Sequence, residues 1–270
     1  MELKKVFAIA FAVLGIAGCS QNLMRDFSDA NSDDALIYNA KSEVNAQNYQ
    51  VAIDILTNQL SAAGKTKVSA RETLASAYAG KCGLNFINYM DSISTATTGS
   101  AMYLAAHPFV GVAVDSASCL LALQTLDLIG STATRTTDQN AFAAVIGMVL
   151  MGSAVRLYTD NSPVNGDDAP DAPNIACTLT AQQVDEIILG YGYMSTNISY
   201  LGAQLGSSTN TFNNSISTCQ AVAGSSCSIT DPAQITQPLR DTMMDLLNTS
   251  QYGVGTVDGS IPANIPGACP

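Results

Sequence analysis

The sequence predicts an all-α protein: helical hairpins packed on a bundle of apolar helices, followed by an irregular C-terminal tail. Three observations carry that prediction. Apolar residues recur at helical spacing over most of the chain, several of these runs are preceded by residues that cap helices, and no segment alternates convincingly with period two.

The elements follow in order. Asp33 or Asp34 is placed to cap a first helix in which Leu36, Ala40, Val44 and Ala46 lie near one face. A break at Gln47 to Gln50 separates it from a second run, Tyr49, Ala52, Ile53, Leu56 and Leu60, so the two form an α-hairpin. About one repeat length after Ala40, the stretch "LASAY" (Leu74 to Tyr78) returns to the apolar-and-small pattern of a first helix. From Ala101 to Ile129 the only charges are Asp115 and Asp127, and Ala141 to Val155 carries none. The second run is too short to cross a bilayer, and the first is broken by Pro108 and carries an aspartate mid-way. Such helices belong in the centre of a bundle, in a subunit interface or around an apolar cavity. Thr180 with Gln183 forms a capping box ahead of Val184, Ile187, Ile188, Tyr191, Met194, Ile198, Leu201 and Leu205. Asp231, with Pro232 at the first helical position, opens a last helix through Leu239, Met243, Leu246 and Leu247. The tail from Gly253 to Pro270 has no period.

Leu36, Ala40, Tyr49, Ala52 and Leu56 resemble the large and small positions of a tetratricopeptide repeat, and Leu74, Ala75 and Tyr78 resemble the first helix of a second one. The resemblance covers residues 34–95. It implies stacked hairpins in which alanines let helices approach while the tyrosine and leucines fill the seam between units. A generic bundle with alanine-rich seams is the alternative.

The N-terminus supplies an address. Lys4 and Lys5 precede an uncharged run, Val6 to Gly18, laid out as a cleaved export signal. Ile16-Ala17-Gly18-Cys19 resembles the bacterial lipobox, which implies removal of residues 1–18 and acylation of Cys19. Several acyl chains hold a protein on a membrane without a spanning helix, at about 0.8 kcal/mol per buried methylene. Ser20 stands where an aspartate would suggest inner-membrane retention, so resemblance to enterobacterial sorting implies the outer membrane, with the body in the periplasm. Residues 19–33 read as a flexible tether and residues 34–252 as a single all-α domain, with residues 253–270 as the tail.

The chain has a formal charge of −11, and losing Glu2, Lys4 and Lys5 makes it one unit more negative. Nucleic acid and anionic headgroups reward clustered Lys and Arg, and no such cluster occurs. With 47% hydrophobic and 12% charged residues, the chain buries much of itself and solubilises the rest with neutral polar groups.

Beyond Cys19 the cysteines are Cys82, Cys119, Cys177, Cys219, Cys227 and Cys269. An even number in an exported chain reads as disulfides, and the lack of any C-x-x-C pair speaks against zinc. Cys219 and Cys227 flank the short segment "CQAVAGSSC" and are the expected local pair. Cys82 with Cys119, and Cys177 with Cys269, are the remaining expectation, against buried free thiols as the alternative.

The acidic segment Tyr158 to Asp171 gathers Asp160, Ser162, Asn165, Asp167, Asp168 and Asp171 within one loop. That density of oxygen ligands makes it a candidate calcium loop, although the spacing departs from the EF-hand rule; a solvated acidic turn fits the composition equally. His107 is the only histidine and precedes Pro108, where a helix-end or packed role is expected rather than that of a general base. No Ser/His/Asp order or nucleophile elbow accompanies it, and "GYGYMS" at Gly190 sits inside a helical pattern rather than in a phosphate loop.

Catalysis is therefore not expected, and two readings follow. One is a lipid-anchored interaction scaffold that holds an envelope protein or a second copy of itself. The other is a carrier whose apolar helices at 101–129 and 141–155 line a cavity for an apolar small molecule. The lipobox, repeat hairpins and apolar helical remainder resemble, in architecture, the accessory T component of tripartite ATP-independent periplasmic transporters. That resemblance implies association through the repeats and an apolar passage for a ligand.

Overall fold

The computed structural model describes residues 30–96, 98–255, 257 and 269. The expected leader, Cys19 and most of the tail lie outside the described residues. Within them the protein is all-α, with one isolated parallel β-bridge between Thr249 and Val257.

The first helix, α1 (Asp33–Asn45), starts one residue earlier than expected. Ser32 is its cap, with extended backbone and Oγ accepting the Ala35 N–H at 3.3 Å. Asp33 and Asp34 instead occupy the first turn, where their charge suits the helix dipole. The Asp33 carboxylate accepts the N–H and the hydroxyl of Ser61 at 2.9 and 2.6 Å, which holds it below the usual carboxylate range. Gln47 takes a left-handed φ of 63° and turns the chain into α2 (Tyr49–Asp54), continued by one π-turn over Ile55–Gln59. Leu36, Ala40, Ala52, Ile53, Leu56 and Leu60 are buried as the hairpin pattern requires, while Ala46 is exposed at the helix end.

After the short α3 (Ala62–Thr66) comes α4 (Val68–Lys81), whose Ala70 and Ala77 close the hairpin's own core. The opposite face of α4, through Ala75 and Ala79, joins a second and larger core, and Tyr78 packs against both. The next helix, α5 (Phe86–Thr95), packs chiefly against the Gly202–Ser208 segment rather than folding back on α4. The helix that lies along α4 is α7 (Ser116–Asp127), reached through α6 (Ala101–Ala106) and a 3-10 turn at His107–Phe109.

At the centre of the larger core is α8 (Thr137–Thr159), longer at both ends than its apolar run. A capping box, Thr136 with Gln139, starts it ahead of Ala141, and the helix continues past Val155 for a further turn. Its 23 residues are long and apolar enough to cross a membrane by composition, yet 78% of its most apolar stretch is buried inside the protein, so it is the core helix. Close approach to its neighbours depends on glycine. A Cβ at Gly147 would lie 2.6 Å from the Met194 nitrogen, and one at Gly152 would fall on the Ala105 carbonyl.

The expected capping box at Thr180 and Gln183 begins α9 (Ala181–Asn197), which lies along α8. The helix stops at Asn197, short of Leu205. Beyond it the chain runs in 3-10 turns, Ile198–Tyr200 and Gly202–Ser208, with positive φ at Gly202 and Gly206. This break has a use: Ser207 and Ser208 donate hydroxyls to the carbonyls of Ser94, Ala96 and Ile93, satisfying the end of α5. Leu201 and Leu205 remain buried, so the apolar spacing was real although the helix was not.

The sequence pattern did not reveal α10 (Thr209–Ala223). Its Ser, Thr and Asn residues are poor helix formers, and only a narrow stripe, Phe212, Ser215, Ile216 and Cys219, is buried. Asp231 caps a 3-10 turn, Pro232–Gln234, and not the final helix; α11 (Gln237–Asn248) begins after Thr236 with Pro238 in its first turn. Arg240 reaches Asp185 with two hydrogen bonds, at 2.6 and 2.9 Å, joining α11 to α9. The N–H groups of Val254 and Gly255 then return to the Leu247 carbonyl.

The cysteines fall into the three expected pairs. Cys82 with Cys119, Cys177 with Cys269 and Cys219 with Cys227 have Cα separations of 5.2, 5.4 and 5.9 Å. The first joins α7 to the end of α4 inside the larger core.

Candidate functional site

Two places bring chemistry to the surface: the acidic loop against α6, and a groove at the turn end of the hairpins. In the loop, carboxylates build the backbone. The Asp160 oxygens accept the N–H groups of Asp167 and Asp168, both at 2.9 Å, and the Asp171 oxygens accept those of Asn161 and Ser162, both at 3.0 Å. Asn165 and Asp168 hold left-handed φ values of 70° and 76°, and the Ser162–Pro163 bond is cis.

The residues of the calcium-loop expectation have other partners in this arrangement. Asp160, Ser162, Asn165, Asp167, Asp168 and Asp171 share one loop, but among the described residues no three His, Cys, Asp or Glu side chains converge in a way that could hold a metal ion. Two of the four carboxylates are already occupied with amides, and a third binds side chains of α6 and the turn after it. Asp168 Oδ2 accepts the Tyr103 hydroxyl at 2.5 Å and meets His107 Nδ1 at 2.9 Å. The Tyr103 and His107 rings stack with centroids 5.5 Å apart. His107 is thus a helix-end residue, half-exposed, that pins the loop to the body.

Hydrogen bonding to Asp168, with burial adding to it, raises Tyr103 to about 12. Burial is the first cause for Tyr158, also raised to about 12, with its bond to Glu186 reinforcing the shift against an opposing one from Ser116. Raised phenol pKa values mean that the folded state favours the neutral form. Their contribution is fully present below the unfolded value of about 10 and is lost as pH rises towards 12. Ultraviolet titration of phenolate should show a late-titrating fraction accompanied by loss of stability in that window. The Asp168→Asn variant should move the Tyr103 component back towards the ordinary value, and an unchanged titration would count against the Tyr103–Asp168 bond.

The groove lies between the turn joining α1 to α2 and the turn joining α4 to α5. Val44, Tyr49, Leu84, Phe86, Ile87 and Phe142 supply its apolar lining, around roughly 1010 Å³ of space open to solvent. The Tyr49 ring lies where a Cβ on Gly80 would be, so glycine there lets the ring settle onto α4. Ile87 is 78% exposed and Phe86 is 46% exposed, an unusual state for adjacent large apolar residues at the start of a helix. The polar residues that complete the lining, Asn45, Gln47, Ser76 and Asn85, are uncharged.

Sequence reasoning found the hairpin but not this groove. Phe86 and Ile87 lie within residues 34–95 but are not among the residues that carry the repeat resemblance, and Phe142 comes from α8, distant in sequence. The apolar stretches at 101–129 and 141–155 pack against each other and against α9: Leu123, Leu126, Ile146, Leu150 and Met151 are all fully buried. In comparisons with known proteins, no family model, no curated protein and no solved structure matches this chain.

Proposed function

We propose that the protein is a lipid-anchored scaffold of the bacterial cell envelope. In this reading residues 1–18 are removed, Cys19 carries the acyl chains that hold the outer membrane, and the helical body works in the periplasm by binding rather than by catalysis. The groove is the observation that carries the proposal: an apolar lining with exposed Phe86 and Ile87 and uncharged polar neighbours is suited to receiving apolar side chains of a protein partner. The close packing of Leu123, Leu126, Ile146, Leu150 and Met151 favours this reading over a carrier with an apolar passage through the helical core.

A photoreactive amino acid at position 87, in the full-length protein in its own envelope, tests the groove. The expected result is a discrete protein adduct from position 87 and none from position 164, an equally exposed apolar site on the acidic loop. Absence of an adduct at 87, or identical adducts at both, would overturn the groove as the docking site. Intact mass of the same preparation tests the anchor separately, since an unmodified Cys19 would remove the membrane address while leaving the crosslink informative.

A further inference from the structure

Arg156, on the last turn of α8, is only 2% exposed and heads the largest fully buried side chains. A guanidinium remains charged inside a protein and carries five N–H donors, so its burial calls for acceptors. The structure gives it one: Nη1 donates to Asn161 Oδ1 at 3.3 Å, while Nε has no partner. Asp160, four residues on, supports the charge through space, against burial, which acts first and lowers it. The Asp160 oxygens are bonded to the amides of Asp167 and Asp168, and Arg156 has no ion pair among the described residues. Buried arginines without such a partner are rare.

The same arginine lines a small cleft, together with Ala106, Val110, Val155, Val254, Tyr103 and Asp168. Aliphatic walls with a few placed polar groups are the general composition of small-molecule sites, and the roughly 50 Å³ open to a water-sized sphere admits only a ligand of a few heavy atoms. We propose that the cleft binds the carboxylate of a small aliphatic ligand, with Arg156 as the group that recognises it. A carboxylate presents planar paired acceptors to a guanidinium fork, and a short aliphatic body covers the valines and alanine. The neighbouring Asp160, Asp167 and Asp168 make a multiply charged anion a poor occupant. Two sources share this chemistry: a simple carboxylic acid, or an amino acid whose ammonium group faces Asp168. The cleft and the groove are lined by different residues, so the two proposals can fail independently.

Saturation-transfer NMR on the full mature chain in detergent, with propionate, L-alanine and inorganic phosphate as probes, decides the matter. Saturable binding of propionate or alanine is expected, phosphate binding more weakly than either. Arg156→Lys, which keeps the charge and loses the fork, should weaken binding about tenfold or more. Ala169→Phe places a ring at an exposed loop position lining the cleft and should block binding with unchanged circular dichroism and melting temperature, which keeps the test valid if the core variant folds poorly. Binding of both probes identifies a simple carboxylate site; binding of alanine alone, lost in Asp168→Asn, identifies an amino-acid site. The proposal is overturned if neither probe binds saturably, if phosphate binds best, or if binding survives Ala169→Phe.

Discussion

Replacing Gly152 with valine is expected to cost about 3 kcal/mol or more and to lower the melting temperature by roughly 6–12 °C. At this position α8 crosses α6 backbone against backbone, and an added Cβ meets the carbonyl carbon and oxygen of Ala105 and the nitrogen of Ala106. A flexible side chain could rotate away, but a peptide group can yield only if the helices separate. Separation would open the packing around Met102, Ala105, Ile146 and Val149, all at or near zero exposure. Gly152→Ala should give an intermediate loss, since it introduces the first colliding atom without the branches. Val164→Ala, a change in an exposed loop residue, should be close to neutral. Thermal unfolding followed by circular dichroism checks the series. A valine variant as stable as the parent would show that α6 and α8 do not cross at Gly152.

Replacing Cys177 and Cys269 together with serine should destabilise the protein by about 4–5 kcal/mol, compared with about 2–3 kcal/mol for the same change at Cys219 and Cys227. The reason is the length of chain each bond closes. The first pair is separated by 92 residues and the second by 8, and a longer closed loop removes more conformational freedom from the unfolded chain. The long bond also fastens Cys269 beside α11, where its N–H donates to Asp245 at 2.8 Å. Urea unfolding under oxidising conditions measures both variants against the parent. Equal losses would refute the loop-closure account and point instead to local packing at each sulfur.

Helix existence was legible where side chains speak locally. Thr180 and Gln183 announce α9, and Leu36 to Leu60 announce the first hairpin, because capping and amphipathic spacing are set by neighbours a turn away. Boundaries were less legible. Asp33 and Ser32 are both competent caps, and only the pull of Ser61 on the Asp33 carboxylate settles which serves. In α10 low intrinsic propensity is overridden by burial of Phe212 and Ile216, which a local window does not register.

By itself, the sequence determined the helical class, the apolar identity of the central helices, the expectation of disulfides among six cysteines and the location of the acidic loop. These follow from composition, periodicity and spacing. The tertiary structure decided that Asp160 and Asp171 serve the loop's own amides while Asp168 binds Tyr103 and His107, that α5 joins the 202–208 segment rather than α4, and that Phe86, Ile87 and Phe142 meet in one groove. It also decided that Arg156 ends up buried with a single acceptor. Each depends on groups brought together from distant parts of the chain, and hydrogen bonds and burial are properties of those encounters rather than of residue order.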